Sequence, residues 1–283
     1  MARRPFAQVD VFTSVAYRGN PLAVILGADG IDDATMQRIA DWTNLSETTF
    51  VLAPTDPRAD YRVRIFTTDR ELPFAGHPTL GTCHAWLEAG GVPRGADVVQ
   101  ECGVGLVTIR RDGDRLAFAA PPRRRDGPLD EAEVALIARG LGVARDEIVH
   151  HAWCDNGPEW RGVMLPSAER VLSLHPDPGI LCHIGMDIGV VGPTGEGDPD
   201  APAFEVRAFI PGADGLTEDP VTGSLNAAVG QWLTGAGLAP DRYVASQGTA
   251  LGRAGRVHVE RDAAGQVWVG GDVVTCIRGM VDA

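Results

Sequence analysis

The chain contains no lysine; all 25 of its basic residues are arginine. That excludes Schiff-base chemistry and a lysine general base. Cysteine is scarce: Cys83, Cys102, Cys154, Cys182 and Cys276 are irregularly spaced and form no C-x-x-C. Neither a disulfide framework nor a zinc site is expected from them, and free thiols in a reducing cytoplasm are. The adjacent Cys83-His84 and Cys182-His183 lack the spacing of metal ligands. Net positive charge is also missing. The balance is −13, which argues against a nucleic-acid partner and against an anionic membrane surface. An acidic substrate must then be met by local donors rather than by a global field. No apolar run reaches membrane-spanning length. The opening "MARRPFAQVDVF" has two arginines but no following apolar h-region, so no signal peptide is expected. A G-x-G-x-x-G and a P-loop are absent, so no cofactor is called for.

What is present is an ordinary globular composition, 44% hydrophobic and 22% charged over 283 residues. That length allows one large domain or two of ordinary size. "FAQVDVFTS", "GNPLAVIL", "ETTFVLA" and "YRVRIFTT" read as strands, being alternating or rich in β-branched and aromatic residues. "DDATMQRIADWTN" reads as a helix over about 32–43, with Met36, Ile39, Ala40 and Trp42 as its apolar positions. A second helix is predicted over about 78–89, closed by Gly90-Gly91. "GVGLVTIRRDGDRLAFAAPP" is a hairpin over Asp112-Gly113. "PPRRRDGPLD", 121–130, is the linker candidate, and "DEAEVALIARGLG" starts a new helix after it. Strands come next at "RGVMLP" and "IGVVGP", and "TGEGDPDAPA" reads as a polar surface loop.

A weak internal repeat runs through the chain. "VRIFTTDRELPFAGHPTLGTCHAWL" lines up with "VRAFIPGADGLTEDPVTGSLNAAVGQWL". Val63, Arg64 and Phe66 match Val206, Arg207 and Phe209 at an offset of 143; Trp86 and Leu87 match Trp232 and Leu233 at an offset of 146. The second loop is then three residues longer. Both copies read as strand, polar loop with an acidic residue, glycine-containing turn, apolar helix and glycine cap. The second helix is expected over about 224–234. Both helices are apolar nearly all round, and a helix without a polar face is enclosed by other elements. The reading is α+β: two related domains, each a curved, mostly antiparallel, barrel-like sheet around a central helix. They span about 1–120, with 273–283 returning to the first, and 128–272.

The two helix heads carry "GHP" and "TGS". A helix N-terminus offers unpaired N–H groups and a partial positive charge, and so suits a carboxylate or phosphate. His77, between Gly76 and Pro78, points to a binding role, though a structural histidine would also fit. Asp219 fits a turn before Pro220 and Ser224 fits an N-cap, and neither excludes ligand binding. Glu47, among Leu45, Phe50, Val51 and Leu52, reads either as an exposed strand-edge residue or as a carboxyl in an apolar setting, which raises its pKa toward neutrality.

Together, "DVFT…GNPLAV", "LSETTFVL", "FAGHPTLG" and "EDPVTGS" resemble the phenazine-biosynthesis isomerase (PhzF-like) family, from Asp10 to the "VGGDV" near Gly270. The resemblance implies the diaminopimelate epimerase fold with two pseudo-symmetric halves. It matches Glu47 to the family's catalytic glutamate, and His77 and Asp219 to its polar catalytic residues. It matches Gly76–His77 and Gly223–Ser224 to the amides that hold the substrate carboxylate. The activity it implies is that of a cofactor-independent, metal-free isomerase of a biosynthetic pathway. Such an enzyme would move a proton and a double bond in a small cyclic amino acid or related carboxylate, as trans-2,3-dihydro-3-hydroxyanthranilate isomerase does. The resemblance also suggests a homodimer. Two alternatives stand beside it: an amino- or hydroxy-acid epimerase or racemase, and a non-catalytic small-molecule binding protein of the same fold. The two-cysteine epimerase reaction is disfavoured, because Ala75 and Asp219 stand where its thiols would be. "VTGSL" is not a G-x-S-x-G elbow.

Overall fold

A computed structural model of the chain describes residues 2–113, 115–195, 201–212 and 215–283. The polar segment expected as a surface loop lies partly outside them, at 196–200. The chain divides into two compact units, Met1–Ala119 with Gly270–Ala283, and Ala120–Val269.

The first unit contains β1 (Arg3–Val11), β2 (Asn20–Ile25), α1 (Asp33–Thr43), β3 (Thr48–Leu52), β4 (Tyr61–Phe66), β5 (Glu71–Leu72), α2 (Gly76–Glu88), β6 (Val98–Cys102), β7 (Gly105–Asp112) and β8 (Arg115–Ala119). The C-terminal strand of the chain also belongs to it. β2 runs antiparallel to β1 and parallel to β3, and β3 is antiparallel to β4. β4 takes β5 antiparallel and β6 parallel, and β6, β7 and β8 form an antiparallel meander. The sheet curves around α2, which packs on β1, β2, β3, β6 and β8. The helix lies close because Gly81 faces the wall. A Cβ there would come within 2.6 Å of the Leu22 side chain and 2.9 Å of Val11. α1 covers the outside with Met36 and Ala40 buried beside Phe50, Leu52 and Phe66. Trp42, expected on that face, is 85% exposed. Six residues beyond Met36 is two-thirds of a turn out of phase, which carries its ring to the far side.

The second unit contains α3 (Glu131–Leu141), β9 (His150–Asp155), β10 (Glu159–Met164), α4 (Ala168–Leu172), α5 (Pro178–Ile184), β11 (Ile188–Pro193), β12 (Phe204–Gly212), β13 (Gly215–Asp219), α6 (Gly223–Gly235), β14 (Arg242–Gln247) and β15 (Gly255–Arg261). β16 (Val267–Gly271) runs through the boundary, and β17 (Val273–Asp282) returns to pair antiparallel with β1. The pairing repeats the first unit. β11 and β12 are antiparallel, β12 takes β13 antiparallel and β14 parallel, and β14 continues to β15. α6 is the enclosed helix, packed on β9 and β15. α3 and α5 lie over an apolar cluster that includes Val134, Ile137, Leu181, Ile188 and Phe209.

The structure sharpens the repeat. Arg64 bonds Glu71 through Nε and Nη2 at 2.7 and 2.6 Å, and Arg207 bonds Glu218 in the same way at 2.9 and 2.7 Å. α2 and α6 begin at Gly76 and Gly223. Arg64 and Arg207 keep the offset of 143, whereas Glu71 and Glu218 and the two helix starts share an offset of 147, so the second loop is four residues longer, not three. Both central helices also begin earlier than expected, α2 by two residues and α6 by one. Pro78 occupies the third helical position, where its missing N–H breaks no intrahelical bond.

Candidate functional site

In the first unit, α2 begins with Ala75 as N-cap, at φ −151° and ψ 141°, and no side chain caps it. The Gly76 and His77 amides head the helix, and Pro78 carries no N–H. The His77 side chain is buried, 5% exposed, with Nε2 3.4 Å from Glu47 Oε2. Its Nδ1 lies 3.4 Å from Asn20 Nδ2. The Asn20 contact is at the long end of hydrogen bonding, and the Glu47 contact is close in distance without the geometry of a hydrogen bond. Burial lowers His77 from its ordinary value to about 3, so the ring is neutral near pH 7. A carboxylate at 3.4 Å favours the imidazolium, but loss of solvent outweighs it for a ring this enclosed. A neutral imidazole has one donor and one acceptor nitrogen, so His77 can hand a proton on in either direction. Glu47 sits just before β3 and is 15% exposed. Asn20 opens β2, and the buried Asp10 fixes the turn before it by accepting the Gly19 N–H at 2.9 Å. A Cβ on Gly19 would collide with the Val11 carbonyl and the Thr13 side chain, so the turn requires glycine.

In the second unit, Asp219 ends β13 and Thr222 is the N-cap of α6, again without a side-chain cap. The Thr222 hydroxyl turns away from the helix and donates to Asp219 Oδ2 at 2.6 Å. Ser224 lies in the first turn. Its Oγ accepts the Trp160 Nε1–H at 3.1 Å, and its carbonyl accepts Asn156 Nδ2 at 2.8 Å. Indole N–H is a donor only, so the Ser224 hydroxyl keeps its own proton for a second acceptor. A hydroxyl donor beside the Gly223 and Ser224 amides at a helix head is the kind of donor set that suits an anion.

Glu47, His77 and Gly76 thus gather in the first unit, and Asp219, Gly223 and Ser224 in the second. Sequence reasoning did not single out Asn20, Thr222, Trp160 or Gln247. Asn20 and Thr222 stand inside the quoted motifs; Trp160 directly precedes "RGVMLP", and Gln247, whose buried amide accepts the Thr222 N–H at 3.0 Å, belongs to no quoted motif. The cysteines take no part in either cluster. Burial pushes the Cys83 and Cys154 thiols up to about 12. Among the described residues no three His, Cys, Asp or Glu side chains gather as metal ligands would, and no helix is long and apolar enough to cross a membrane.

Comparison with known proteins places these features. A family profile described as "Phenazine biosynthesis-like protein" matches residues 9–279. "Antisense-enhancing sequence 1" of Schizosaccharomyces pombe is 38% identical, over 99% of both chains. The trans-2,3-dihydro-3-hydroxyanthranilate isomerase of Pseudomonas fluorescens is 36% identical over 76% of this chain and 74% of its own. The Bacillus anthracis phenazine biosynthesis protein of the PhzF family superposes with a TM-score of 0.83 at 23% identity, covering both chains completely. A hydroxyproline epimerase from Agrobacterium vitis superposes with a TM-score of 0.60 at 15% identity, over 99% of this chain and 92% of its own. The two halves therefore have the diaminopimelate-epimerase-like fold, and the chain belongs to the phenazine biosynthesis-like (PhzF) family, which includes proteins named as isomerases.

Proposed function

We propose that this protein is a cofactor-independent isomerase that moves a proton, and with it a double bond, in a small cyclic amino acid or related carboxylate. The observation that carries the reading is the pair of Glu47 and neutral His77 at an uncapped helix head. Glu47 takes a proton from one carbon and returns it to another, so the reaction needs no net acid or base. His77 steadies the carboxyl and can pass the proton on. Each unit offers a helix head to a carboxylate, the Gly76 and His77 amides in one and the Gly223 and Ser224 amides with the Ser224 hydroxyl in the other; Asp219 orients an amine or hydroxyl. Positioning and a water-poor setting supply the rate. The buried, raised thiols of Cys83 and Cys154 give no support to a two-cysteine epimerase. The reading includes a cytoplasmic homodimer. All five cysteines are free, which suits a reducing compartment, and light scattering should return twice the 30.0 kDa chain mass.

The test is turnover of trans-2,3-dihydro-3-hydroxyanthranilate in D₂O, monitored by NMR, with Glu47→Gln alongside. Wild type should convert the substrate, and the deuterium pattern should show whether one carboxyl returns the same proton. The variant should bind and lose about 100-fold or more in kcat, the usual contribution of a positioned acid/base. Undiminished turnover in Glu47→Gln removes the assignment; no turnover by folded wild type moves the substrate to another cyclic carboxylate.

A further inference from the structure

The C-terminal strand β17 pairs antiparallel with β1 along its whole length and packs on α2. Its second half is exposed. Ile277 and Met280 each show 48% of their surface to solvent, and the Arg278 side chain 66%. A long apolar strand whose outer edge is open is a template for another strand.

The backbone shows which groups face that edge. Ala2 and Ala283 exchange N–H···O bonds at 2.6 and 3.0 Å, so Ala283 turns its polar groups toward β1. Along an antiparallel pair, bonded and unbonded positions alternate. Pro5, opposite Met280, has no N–H, and its carbonyl accepts the Leu26 N–H at 3.0 Å on the β2 side. Arg278, Met280 and Asp282 therefore turn their N–H and C=O groups away from β1. Residues of one parity also share a face of the sheet. It is the α2 face, where Arg278 Nη2 donates to Glu88 Oε1 at 2.8 Å.

The same three residues make the edge complementary to itself. Two copies paired antiparallel are related by a dyad normal to the sheet. That operation keeps side-chain faces, so the pairing is centred on a single residue. Arg278 and Asp282 are the only base and the only acid of β17. A centre at Arg278 sets two arginines face to face. A centre at Met280 sets each arginine opposite an aspartate, twice over, with the two methionines side by side between them. All three outward-facing residues then lie in hydrogen-bonded pairs, and Ile277 lies opposite the partner's Ala283 on the other face.

We infer that the open edge of β17 is the subunit interface, joined antiparallel to the partner's β17 in the register centred on Met280. This supplies a surface for the proposed homodimer and rests on that reading for the second copy.

Light scattering over a dilution series of the full chain tests it. Asp282→Arg places Arg opposite Arg, and Arg278→Asp places Asp opposite Asp. Each variant alone should dissociate at about tenfold or more higher concentration than wild type. Mixed in equal amounts, they should regain the dimer, because every arginine of one then faces an aspartate of the other. General destabilisation of either variant would not be rescued by mixing. Met280→Cys should cross-link to itself on mild oxidation, since hydrogen-bonded partners have Cα atoms about 5.5 Å apart, within disulfide reach. Asp282→Cys should not, because its own counterpart lies four residues along the strand, about 14 Å away. Wild type oxidised alongside controls for the five native cysteines. A wild-type monomer overturns the inference together with the homodimer reading. A wild-type dimer that neither reversal weakens and that Met280→Cys does not link overturns the β17 interface alone. Weakened variants that stay apart on mixing overturn the register.

Discussion

His77 links residue chemistry to stability. In the unfolded chain a histidine titrates near 6.5; in the folded protein burial lowers it to about 3. Above pH 6.5 both states are neutral there and the full stability is present. As pH falls below 6.5 the unfolded chain takes up a proton that the folded protein refuses. Stability is then lost at about 1.4 kcal/mol per pH unit until the folded value is reached. In urea titrations between pH 6.5 and 4.5 the wild type should lose about 2–3 kcal/mol more than His77→Gln, which lacks the titrating ring. Parallel loss in the two proteins would show that the ring is solvated. The same depression predicts that no limb near pH 6.5 in the rate profile belongs to His77. The residue type was legible from its place between Gly76 and Pro78; its neutrality was not, since that depends on walls contributed by strands distant in sequence.

At the element scale, the head of α2 forgoes the stability of a cap, which on the proposed reading leaves its amides to the ligand. Ala75 has the extended backbone an N-cap needs but no side-chain acceptor. Ala75→Asp should therefore stabilise the protein by about 1 kcal/mol and raise the substrate KM, because an internal carboxylate then occupies the amides meant for the ligand. A higher melting temperature with unchanged KM would separate the helix head from substrate binding. The middle of the same helix obeys the opposite logic. Alanine is the better helix former by about 1 kcal/mol. Gly81→Ala should nevertheless destabilise by about 1–3 kcal/mol, because overpacking against the fully buried Leu22 and the stiff Val11 outweighs propensity; denaturant midpoints decide it. These elements also mark how far the sequence could be read. α1 starts one residue after its expected start and ends at Thr43 as expected, and α3 starts within the stretch that reads as a new helix, because their caps are local, Asp32 accepting the Thr35 N–H and Gly142 taking the left-handed turn. β5 has only two residues and β6 pairs parallel with distant β4, so neither leaves a local pattern. The heads of α2 and α6 were misplaced by one or two residues because neither has a side-chain cap.

At the scale of the whole molecule, the two halves share a device and use it differently, which the sequence repeat alone does not reveal. Arg64 and Arg207 each lie over a phenylalanine ring, at 5.1 and 4.9 Å, and each grips a glutamate with two of its three nitrogens. The first pair is half open: Glu71 is 42% exposed, and Arg64 has a second carboxylate in Asp33 at 2.6 Å. The second pair is closed, at 7% and 13% exposure, and the remaining Arg207 nitrogen bonds the carbonyls of Val171 and Leu174. Removing one member of a buried pair strands a charge, whereas a surface pair contributes little. Glu218→Gln should therefore cost about 3–5 kcal/mol, and Glu71→Gln about 1 kcal/mol or less, because Asp33 remains to hold Arg64. Hydrogen exchange should place the first loss in the Ala120–Val269 unit. Glu218 also precedes Asp219 on β13, and neighbours on a strand point to opposite faces. One face of this short strand is anchored to Arg207 while the other presents the carboxylate that accepts the Thr222 hydroxyl. Activity in Glu218→Gln should then fall along with stability, while Glu71→Gln leaves turnover near wild type. Equal losses of stability in the two variants would mean that the closed pair is no better held than the open one, and that Asp219 depends on the Thr222 hydroxyl alone.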